Sequence, residues 1–494
     1  MTAVAPAGPG PDDAAEGASQ AARRVVRNSA LLILQPLLLN LLSIAVTGYI
    51  ARRLGADDFG RFTYAFSVSP LFASLAGLGL GAVTVRDLVR GDVLPPARYL
   101  GRTLGLRLGA GLLAYSLLLL LVLGGGLLQE AGWVLLLAGT TIFASLLTIT
   151  IEDYFRSREE MQLVARVRLL SGLILTGSSL LVVGLGGRLA ALVVLYVAGA
   201  YLTLLLAGLT LVRRYFWPVP GFDLAFTRRV LRQGVVFYAG GLLGSLAQRV
   251  DRLLLERLQG ATALGHFGAG STLVEKLLVL PEGLAAAVYP ALTGLVHLHP
   301  QAAGPALGRF LTLAAMVGLP TALGTTLLAR PLVGLIFGPG YEEAVLVLAF
   351  GVWVVPAWCL GQVLSSALAA RGRERQGLAV TLVGLLLSIL GNALLIPRYG
   401  PPGSALTLAA TGWLSAALLF VLARRHYGPV LDGAALGRIG AALALLGVGV
   451  GLTRDLPLPV PILLGIGLYA LPLRSAIRDL WTRATRSGMK GERS

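Results

Sequence analysis

Four charged side chains fall within one segment, residues 234–256, that is long enough to cross a membrane: Arg249, Asp251, Arg252 and Glu256. A charge at the bilayer centre costs about 2.5–3.5 kcal/mol on insertion scales, so such residues usually face a cavity or a charged partner. The planar fork of an arginine gives bidentate, charge-assisted hydrogen bonds to an oxyanion. The residue types therefore predict an anion-binding site inside a membrane protein.

The helical spacing of this segment favours a polar stripe. At about 100° per residue, Val250 and Leu254 point away from the polar side chains. One arc of the helix holds Ser245, Gln248, Arg249, Arg252 and Glu256, with Asp251 at its edge. We expect the stripe to face a lumen. The alternative is internal pairing, with Arg252 bonded to Glu256 at i,i+4 and Asp251 bonded to a neighbouring arginine.

The next apolar segment, 266–290, carries Glu275 and Lys276. Adjacent helical residues diverge by about 100°, so both side chains cannot point straight into one cavity. Glu275 is a candidate site for a coupling proton or cation, and its alternative role is to pair with an arginine of the preceding segment. Lys276 could contact an anion or extend its ammonium group towards the membrane surface.

The composition agrees with a membrane protein. Of the 494 residues, 56% are hydrophobic and 13% are charged, whereas soluble domains have about 25% charged residues. This excludes an ordinary cytosolic enzyme and a disordered chain. The single cysteine, Cys359, allows no intramolecular disulfide and is expected to be a buried apolar residue. His297 and His299 have no carboxylate or cysteine beside them, so we predict no metal site.

A transmembrane helix needs about 20 mostly apolar residues. We find fourteen candidate spans and predict an all-α polytopic membrane protein. The spans are 29–50, 63–85, 106–127, 132–151, 169–187, 189–212, 234–256, 266–290, 309–329, 344–366, 377–397, 403–423, 438–453 and 457–473.

The distribution of basic residues predicts the orientation. If the chain alternates from a cytoplasmic N-terminus, 30 of the 41 Lys and Arg residues lie inside, 8 lie outside and 3 lie within spans. This count places Arg107, Arg309 and Arg438, at the cytoplasmic ends of their spans, with the inside residues. This bias predicts that both termini are cytoplasmic. The inner excess would also attract anionic membrane lipids, so the net charge of +17 requires no nucleic-acid partner. The outer loops are short, which excludes catalysis by an attached extracellular domain.

Two stretches align without a gap at an offset of 205 residues: Arg23-Arg24-Val25-Val26-Arg27 and Arg228-Arg229-Val230-Leu231-Arg232. The same offset places Arg52 on Arg257, Gly55 on Gly260, Gly60 on Gly265 and Phe62 on Phe267. Six spans separate the copies, so both insert in the same direction as a parallel repeat. We predict a disordered cytoplasmic tail without signal-peptide features (1–22), an N-lobe of six helices (23–212), a C-lobe of six helices (213–425), two added helices (426–474) and a basic cytoplasmic tail (475–494).

Several motifs resemble those of the bacterial polysaccharide flippases. They are Leu54-Gly55-Ala56-Asp57-Asp58-Phe59-Gly60-Arg61-Phe62 after the first span, Leu335-Ile336-Phe337-Gly338-Pro339-Gly340-Tyr341, Arg371-Gly372-Arg373, and Gly391-Asn392-Ala393-Leu394-Leu395-Ile396-Pro397-Arg398-Tyr399-Gly400. The resemblance covers roughly residues 23–425. The same superfamily contains lipid II flippases and multidrug and toxic compound exporters.

This resemblance implies a V-shaped bundle of two lobes in the cell membrane of a bacterium or archaeon. It implies movement of undecaprenyl-diphosphate-linked oligosaccharide from the inner to the outer leaflet for cell-surface polysaccharide synthesis. Membrane lipids and a glycan polymerase or ligase are the further expected partners. The candidate contacts sort by chemistry: to the diphosphate, Arg249, Arg252 and Lys276; to the glycan, Gln35, Asn40 and Gln248; to a coupling ion, Glu275 and Asp251. Gln35 and Asn40 could equally form hydrogen bonds between helices.

No catalytic residues are predicted. The adjacent acidic pairs Asp57-Asp58, Glu152-Asp153 and Glu342-Glu343 lie at span ends or in short loops, where solvated carboxylates are expected. No GxxxxGK[ST] loop occurs, so we predict neither direct use of ATP nor a cofactor. Two alternatives stay open. The first is a cation-coupled multidrug exporter, although such exporters usually have fewer spans. The second is an integral-membrane enzyme of glycan assembly, although it would need a large outer loop.

Overall fold

The computed structural model describes the backbone of residues 11–91, 94–124, 132–221, 223–429, 433–454 and 456–490. Side chains are described for residues 42–91, 94–124, 132–221, 223–234, 238, 242–429, 433–454 and 456–474. Every element in this part of the chain is helical. Such a fold satisfies each backbone polar group within its own segment, as a bilayer requires.

Seventeen helices occupy the described residues. They are α1 (Pro11–Gly77), α2 (Leu80–Arg90), α3 (Pro96–Gly124), α4 (Gly132–Gly139), α5 (Thr141–Ser157), α6 (Met161–Gly184), α7 (Leu189–Arg214), α8 (Leu224–Ala247), α9 (Val250–Lys276), α10 (Val279–Leu298), α11 (Pro300–Leu327), α12 (Ala329–Ile336), α13 (Glu342–Gly351), α14 (Val354–Ala370), α15 (Glu374–Tyr427), α16 (Gly433–Thr453) and α17 (Pro459–Lys490).

The predicted all-α polytopic fold is confirmed. Within the described residues, nine helices are long and apolar enough to cross a membrane, or ten if the bent pair Leu42–Gly77 and Leu80–Arg90 is one span. The count of fourteen spans stays a prediction. α1 begins at Pro11, within the stretch expected to be a disordered tail, and residues 1–10 lie outside the described part. α17 continues to Lys490, into the expected basic tail.

α3 shows how one helix divides its leucines between two environments. Leu118 and Val122 are fully buried, whereas Leu112, Leu113 and Leu120 are each at least 60% exposed. In water this exposed face would be an aggregation hazard, but in a bilayer it contacts lipid. The helix therefore has one protein-facing side and one lipid-facing side.

α15 is a helical hairpin. Gly400 has a φ of 58°, which only glycine adopts at little cost, and it interrupts the helix. On either side, a Cβ built on Gly403 would lie 2.5 Å from the Leu395 carbonyl oxygen, and Ser404 donates a 2.8 Å hydrogen bond to Asn392. The residue pairs are nearly symmetric about Gly400, so the two halves of α15 run antiparallel.

The bends of α1 and α9 reproduce the sequence repeat. α1 is interrupted at Gly55, with φ 75° and ψ 170°. α9 is interrupted at Gly260, with φ 82° and ψ −176°. These are the two glycines that the offset of 205 residues superimposes, and they adopt the same non-helical conformation. Both copies of the repeat therefore share this bend in the backbone, while the lobe boundaries stay a prediction.

Most helices pack in two sets, the first formed by α2 to α7 and the second by α8 to α17. In the first set, α5 packs against α2, α3, α6 and α7. In the second, α14 packs against α10, α11 and α15. α9 packs against α13 and α15, and α16 packs against α17 and α11. Contacts between the sets include those of α2 with α8. The candidate site residues lie on α9, where the sets approach.

Three breaks interrupt long helical stretches. α1 ends at Gly77, and Leu78 and Gly79 adopt positive φ values of 52° and 66° before α2 begins. α8 and α9 are separated by Gln248 and Arg249, and α9 and α10 by Leu277 and Leu278. Pro281 explains the third break, because it cannot donate a hydrogen bond to the Leu277 carbonyl. Two of these breaks position the site.

Candidate functional site

Arg249 lies in the break between α8 and α9, as the N-cap residue of α9. Its guanidinium is half-buried, and Nη1 donates a long, 3.4 Å hydrogen bond to the carbonyl of Ser67. Ser67 belongs to the part of α1 that follows Gly55. Arg249 therefore joins the second copy of the repeat to the first.

Arg252 forms an ion pair with Glu275. The side chain of Arg252 is 12% exposed and that of Glu275 is 48% exposed. Of the two alternatives raised by the sequence, pairing of Glu275 with an arginine of the preceding span is therefore the one found, and Arg252 does not pair with Glu256. The bend at Gly260 folds α9 back on itself, which brings residues 252 and 275 together despite their separation along the chain.

Asp251, between Arg249 and Arg252 in the sequence, is buried. Its Oδ1 accepts a 2.8 Å hydrogen bond from the backbone N–H of Arg252. This is a local contact in the first turn of α9, where a carboxylate favours the positive end of the helix dipole. Asp251 thus stabilises the segment that presents Arg249 and Arg252.

The other predicted contacts are less closely gathered. Lys276 is the half-buried last residue of α9, next to Glu275, and Gln248 is exposed in the break beside Arg249. Gln35 and Asn40 lie outside the described side chains. The structure therefore brings together Arg249, Arg252 and Glu275 around the start of α9, with Lys276 and Gln248 as their neighbours in the chain.

The sequence prediction missed a buried charged network in the first set of helices. Arg107 is 2% exposed, and its guanidinium donates to Asp153 at 3.2 Å and to Thr150 Oγ1 at 2.6 Å. Glu152 is 1% exposed and accepts two hydrogen bonds from Arg168, at 2.8 and 2.7 Å. The expectation that Glu152-Asp153 is a solvated pair is therefore wrong.

The reason is that α5 turns both carboxylates towards neighbouring helices, where an arginine meets each one. A signal for this was present. Arg107 lies inside an apolar segment and needs a buried partner, and Glu152 and Asp153 are acidic residues near the end of the neighbouring span, at a similar depth.

The halves of α1 and α9 that follow the glycine bends cross each other reciprocally. A Cβ built on Gly60 would lie 1.7 Å from the Ala261 carbonyl oxygen, and one built on Gly265 would lie 1.9 Å from that of Ala56. Both residue pairs are related by the offset of 205. Thr262 also donates to its counterpart Asp57 at 3.3 Å. We call Ala56, Asp57, Gly60, Ala261, Thr262 and Gly265 the crossing cluster.

A second set of contacts lies at the same end of the helices as the crossing cluster. The guanidinium of Arg52 donates to the carbonyls of Ile336, at 2.9 Å, and of Leu335, at the end of α12. The Tyr341 hydroxyl donates to the Ala51 carbonyl at 2.8 Å. A cation at a helix C-terminus also favours the helix dipole. Loops predicted to lie on the outer face therefore meet here.

Charged residues predominate where the two sets of helices meet at the other end. Arg102 pairs with Asp223 at 2.6 Å, Arg229 lies 4.0 Å from Asp87, and Arg86 donates to Gln233. We call these six residues the charged cluster. The loops predicted to be cytoplasmic meet here. At 1.5 Å per helical residue, the stretch from Gly60 to Gly79 separates the two ends by about 28 Å, close to the thickness of a bilayer core.

Asp223 has a further role as the N-cap of α8. It accepts hydrogen bonds from the backbone N–H groups of Ala225 and Phe226, at 2.9 and 3.2 Å. The bond from Phe226, with the smaller contributions of Ala225 and Arg102, lowers the pKa of the Asp223 carboxyl. The carboxylate is therefore favoured in the folded chain.

Comparison with known proteins agrees with this architecture. The model of the polysaccharide biosynthesis protein family matches residues 25–296, and the MatE family model matches residues 239–394. A "Putative O-antigen transporter" of Escherichia coli (strain K12) is 26% identical over 200 residues, or 40% of this chain and 48% of that protein. "Capsular polysaccharide biosynthesis protein CapF" of Staphylococcus aureus is 26% identical over 180 residues, or 35% of this chain and 44% of that protein. The chain thus spans about half the length of these curated relatives.

Among solved structures, the lipid II flippase MurJ in an inward closed conformation is similar, with a TM-score of 0.76 and 14% identity. The match covers 91% of this chain and 99% of that chain. Fold and site together define a multi-pass helical membrane protein with charged residues held between two repeated halves. The chain belongs to the polysaccharide biosynthesis protein family, as its motifs indicated.

Proposed function

We propose that the protein is a flippase that moves an oligosaccharide linked to undecaprenyl diphosphate from the inner to the outer leaflet of the cell membrane, with both termini in the cytoplasm. The observation that carries the proposal is the position of Arg249. Its half-buried guanidinium lies between the repeated halves and, among the described side chains and backbone, has one long hydrogen bond, to the Ser67 carbonyl. Family membership supports the substrate class.

The start of α9 suits a diphosphate. An arginine supplies two parallel donors to a phosphate group, and the positive end of the helix dipole adds to this attraction. Arg249 is free to reorient when substrate enters. Arg252 is the second contact, and Lys276 the third. Gln248, next to Arg249 and exposed, is positioned for glycan hydroxyls, with Gln35 and Asn40 as further candidates.

Glu275 is the candidate that links transport to a proton. In this structure it holds Arg252. A proton on Glu275 would remove the negative charge and leave Arg252 able to bind a phosphate. Asp251, buried below, is the second coupling candidate. The flipped glycan then becomes the substrate of a polymerase or ligase at the outer face.

Movement across the membrane requires the two ends to open alternately. The charged cluster and the crossing cluster are both intact in this structure. The excess of arginines assigns the charged cluster to the cytoplasmic side. The Arg102–Asp223 pair is partly exposed on both sides and exchanges readily for water, so breaking this pair is expected to cost little free energy.

The test uses a strain of the source organism that lacks the gene, complemented with variants. The glycan–lipid is extracted and divided by leaflet. We expect a complete glycan–lipid to accumulate in the inner leaflet of the strain without the gene and with Arg249→Ala. Loss of charge-assisted hydrogen bonds worth roughly 1.5–3 kcal/mol each should slow transport by about tenfold or more. Arg249→Lys should retain part of the activity, because it keeps the charge but loses the fork.

Arg257→Ala is the matched control, because Arg257 lies on the same helix and is exposed. It should restore normal transport. If Arg249→Ala places the glycan–lipid in the outer leaflet as fast as the wild type, with equal protein levels, the proposed role of Arg249 is wrong. If the glycan–lipid of the strain without the gene reaches the outer leaflet and stays unpolymerised, an enzyme of glycan assembly is the better assignment.

A multidrug exporter is the second candidate, because the MatE family model matches residues 239–394. The cationic side chains of Arg249 and Lys276 disfavour a cationic drug in the same place. This candidate predicts no change in glycan–lipids and increased sensitivity to amphipathic cations when the gene is removed.

A further inference from the structure

A cavity of about 600 Å³ lies outside the site described above, between α10, the turn that follows α14 and the end of α15. Its lining includes Arg371, Arg373, His297, His426, Tyr289 and Thr293. Among the described residues that line it, none is acidic. The cavity therefore offers hydrogen-bond donors and positive charge to an anion, within the usual size range of a small-molecule site.

The turn that carries the two arginines has a defined geometry. Gly372 has a φ of 67°, and its N–H donates to the Ala369 carbonyl at 2.8 Å. The N–H of Arg373 donates to the Leu368 carbonyl at 2.9 Å. This turn closes the end of α14 and places one arginine on each side of a glycine without a side chain.

Arg371 is held in place by stacking. Its guanidinium carbon lies 4.4 Å from the centroid of the Tyr427 ring. Tyr427 is itself buried, and its hydroxyl donates to the Ala367 carbonyl at 2.8 Å. The stack orients the guanidinium plane and leaves the N–H groups at its edges available for an anion.

The opposite wall of the cavity has no arginine in its lining. It is formed by α10, with Tyr289, Thr293, Val296 and His297. One helical residue beyond His297, Leu298 is 75% exposed. An anion-binding side that continues into an exposed apolar surface is amphipathic. It matches a ligand that has a charged headgroup and hydrocarbon chains.

We propose that this cavity binds the phosphate headgroup of an anionic phospholipid from the adjacent leaflet. The headgroup phosphate lies between Arg371 and Arg373, and the acyl chains lie along α10. Basic pockets between transmembrane helices are suited to such headgroups. The cavity shares no residue with the site at Arg249. Along α10, residues 279 and 297 are about 27 Å apart, so this is a separate site.

The experiment measures lipid binding and needs no transport assay, so its outcome is independent of the proposed function. The purified full-length protein is titrated with phosphatidylglycerol or with zwitterionic phosphatidylethanolamine, and retained lipids are counted by native mass spectrometry. Arg371→Gln/Arg373→Gln is compared with Arg424→Gln/Arg425→Gln. The second pair removes the same charge from exposed residues close to the cavity that do not line it.

We expect one phosphatidylglycerol to bind the wild type in preference to phosphatidylethanolamine, and the cavity double variant to bind it about tenfold more weakly or worse. The control pair should change binding less than about threefold. Arg373→Gln alone leaves the stack of Arg371 on Tyr427 intact and should lose about fivefold. Unchanged binding in the cavity variants, or equal losses in the control pair, overturns the proposal.

A soluble competitor separates the two possible sources of phosphate. Glycerol 1-phosphate has the headgroup phosphate without acyl chains. If the lipid occupies the cavity, glycerol 1-phosphate should displace phosphatidylglycerol only at concentrations far above that of the lipid. Displacement at equal concentration would assign the site to a free phosphate and overturn the lipid assignment.

Discussion

Arg107 and Asp153 form an ion pair in which each side chain is 2% exposed. Removing water from two charges is expensive, and their attraction repays this cost only when both partners are present. Such a pair is therefore more sensitive to the loss of one member than to the loss of both. This distinction leads to a test at the scale of single residues.

We expect Arg107→Met to reduce the free energy of unfolding by about 3–5 kcal/mol, because it leaves a carboxylate buried without its partner. Asp153→Leu should cost a similar amount. The double variant should be closer to the wild type than either single variant. Thermal unfolding of the purified protein in detergent measures all four proteins as a cycle. Additive losses in the double variant would contradict a coupled buried pair.

Asp223 should make stability depend on pH. Its pKa is lowered in the folded chain, so at acidic pH the unfolded chain binds more protons than the folded one. Its contribution to stability is thus present above the usual aspartate pKa of about 3.9 and is lost as the pH falls below it.

The comparison of wild type with Asp223→Asn isolates this contribution. The difference between their unfolding temperatures should be constant above about pH 5 and should shrink as the pH falls below about 4. Asp58→Asn, a change at a half-buried acidic residue outside both the cap and the charged cluster, serves as the control. A difference that does not change with pH would show that the carboxylate charge of Asp223 contributes nothing.

The residue scale also shows where sequence-based prediction stops. Residue types and helical spacing predicted Arg249, Arg252 and Glu275 as candidates, and their role in binding stays a proposal. Types and spacing were not enough to choose the partner of Arg252. Glu256 is near in the sequence, but Glu275 is brought near by the bend at Gly260. A tertiary contact of this kind depends on backbone dihedrals that helical spacing does not contain.

At the scale of elements, the crossing cluster depends on two glycines. An added Cβ at Gly60 or Gly265 would lie within 2 Å of a carbonyl oxygen of the opposing helix, so Gly60→Ala or Gly265→Ala must push the helices apart. We expect each to lower the free energy of unfolding by about 1–3 kcal/mol. The double variant should lose less than the sum, because the first substitution already separates the helices.

Gly172→Ala is the control for this prediction. A Cβ there meets no atom within 4 Å, and alanine favours a helix over glycine by up to about 1 kcal/mol. Unfolding in detergent should thus show Gly172→Ala as neutral or stabilised. If Gly60→Ala behaves like Gly172→Ala, the close crossing of α1 and α9 is not maintained in solution.

Most helices could be predicted from the lengths of their apolar segments, because a bilayer imposes both composition and length. The internal breaks could not. Gln248 and Arg249, or Leu277 and Leu278, interrupt helices inside segments whose hydrophobic pattern continues across the break. Pro281 and the alternation Gly77-Leu78-Gly79-Leu80-Gly81 weaken a helix, but neither determines the residue at which it stops.

At the scale of the whole molecule, contacts across the bundle form at two ends: the crossing cluster lies at one and the charged cluster at the other. Transport by alternating access requires each end to separate in turn. Covalent closure of either end should therefore stop transport. Inside one set, an equivalent bond should have no such effect, because those helices move together.

The prediction is tested in a Cys359→Ala background, which removes the native thiol. Asp57→Cys/Thr262→Cys closes the crossing cluster by a direct disulfide. Arg86→Cys/Gln233→Cys closes the charged cluster through a short bis-methanethiosulfonate cross-linker, because the native contact spans two long side chains. Under the proposed function, each bridge should abolish movement of the glycan–lipid, and reduction should restore it.

Asn392→Cys/Ser404→Cys, which joins the two arms of α15, is the matched control and should transport normally when oxidised. Transport by a fully bridged Asp57/Thr262 or Arg86/Gln233 pair would mean that the bridged end does not open.

The reciprocity of the crossing cluster has a consequence for the origin of the molecule. The offset of 205 residues turns the contact of Ala56 with Gly265 into that of Ala261 with Gly60, and Asp57 meets its own counterpart, Thr262. An ancestral chain of half this length would form the same crossing with a second copy of itself, as an isologous dimer. In that ancestor one codon for glycine served both contacts at once. After fusion each contact has a codon of its own, so the two sides of the crossing can now diverge independently.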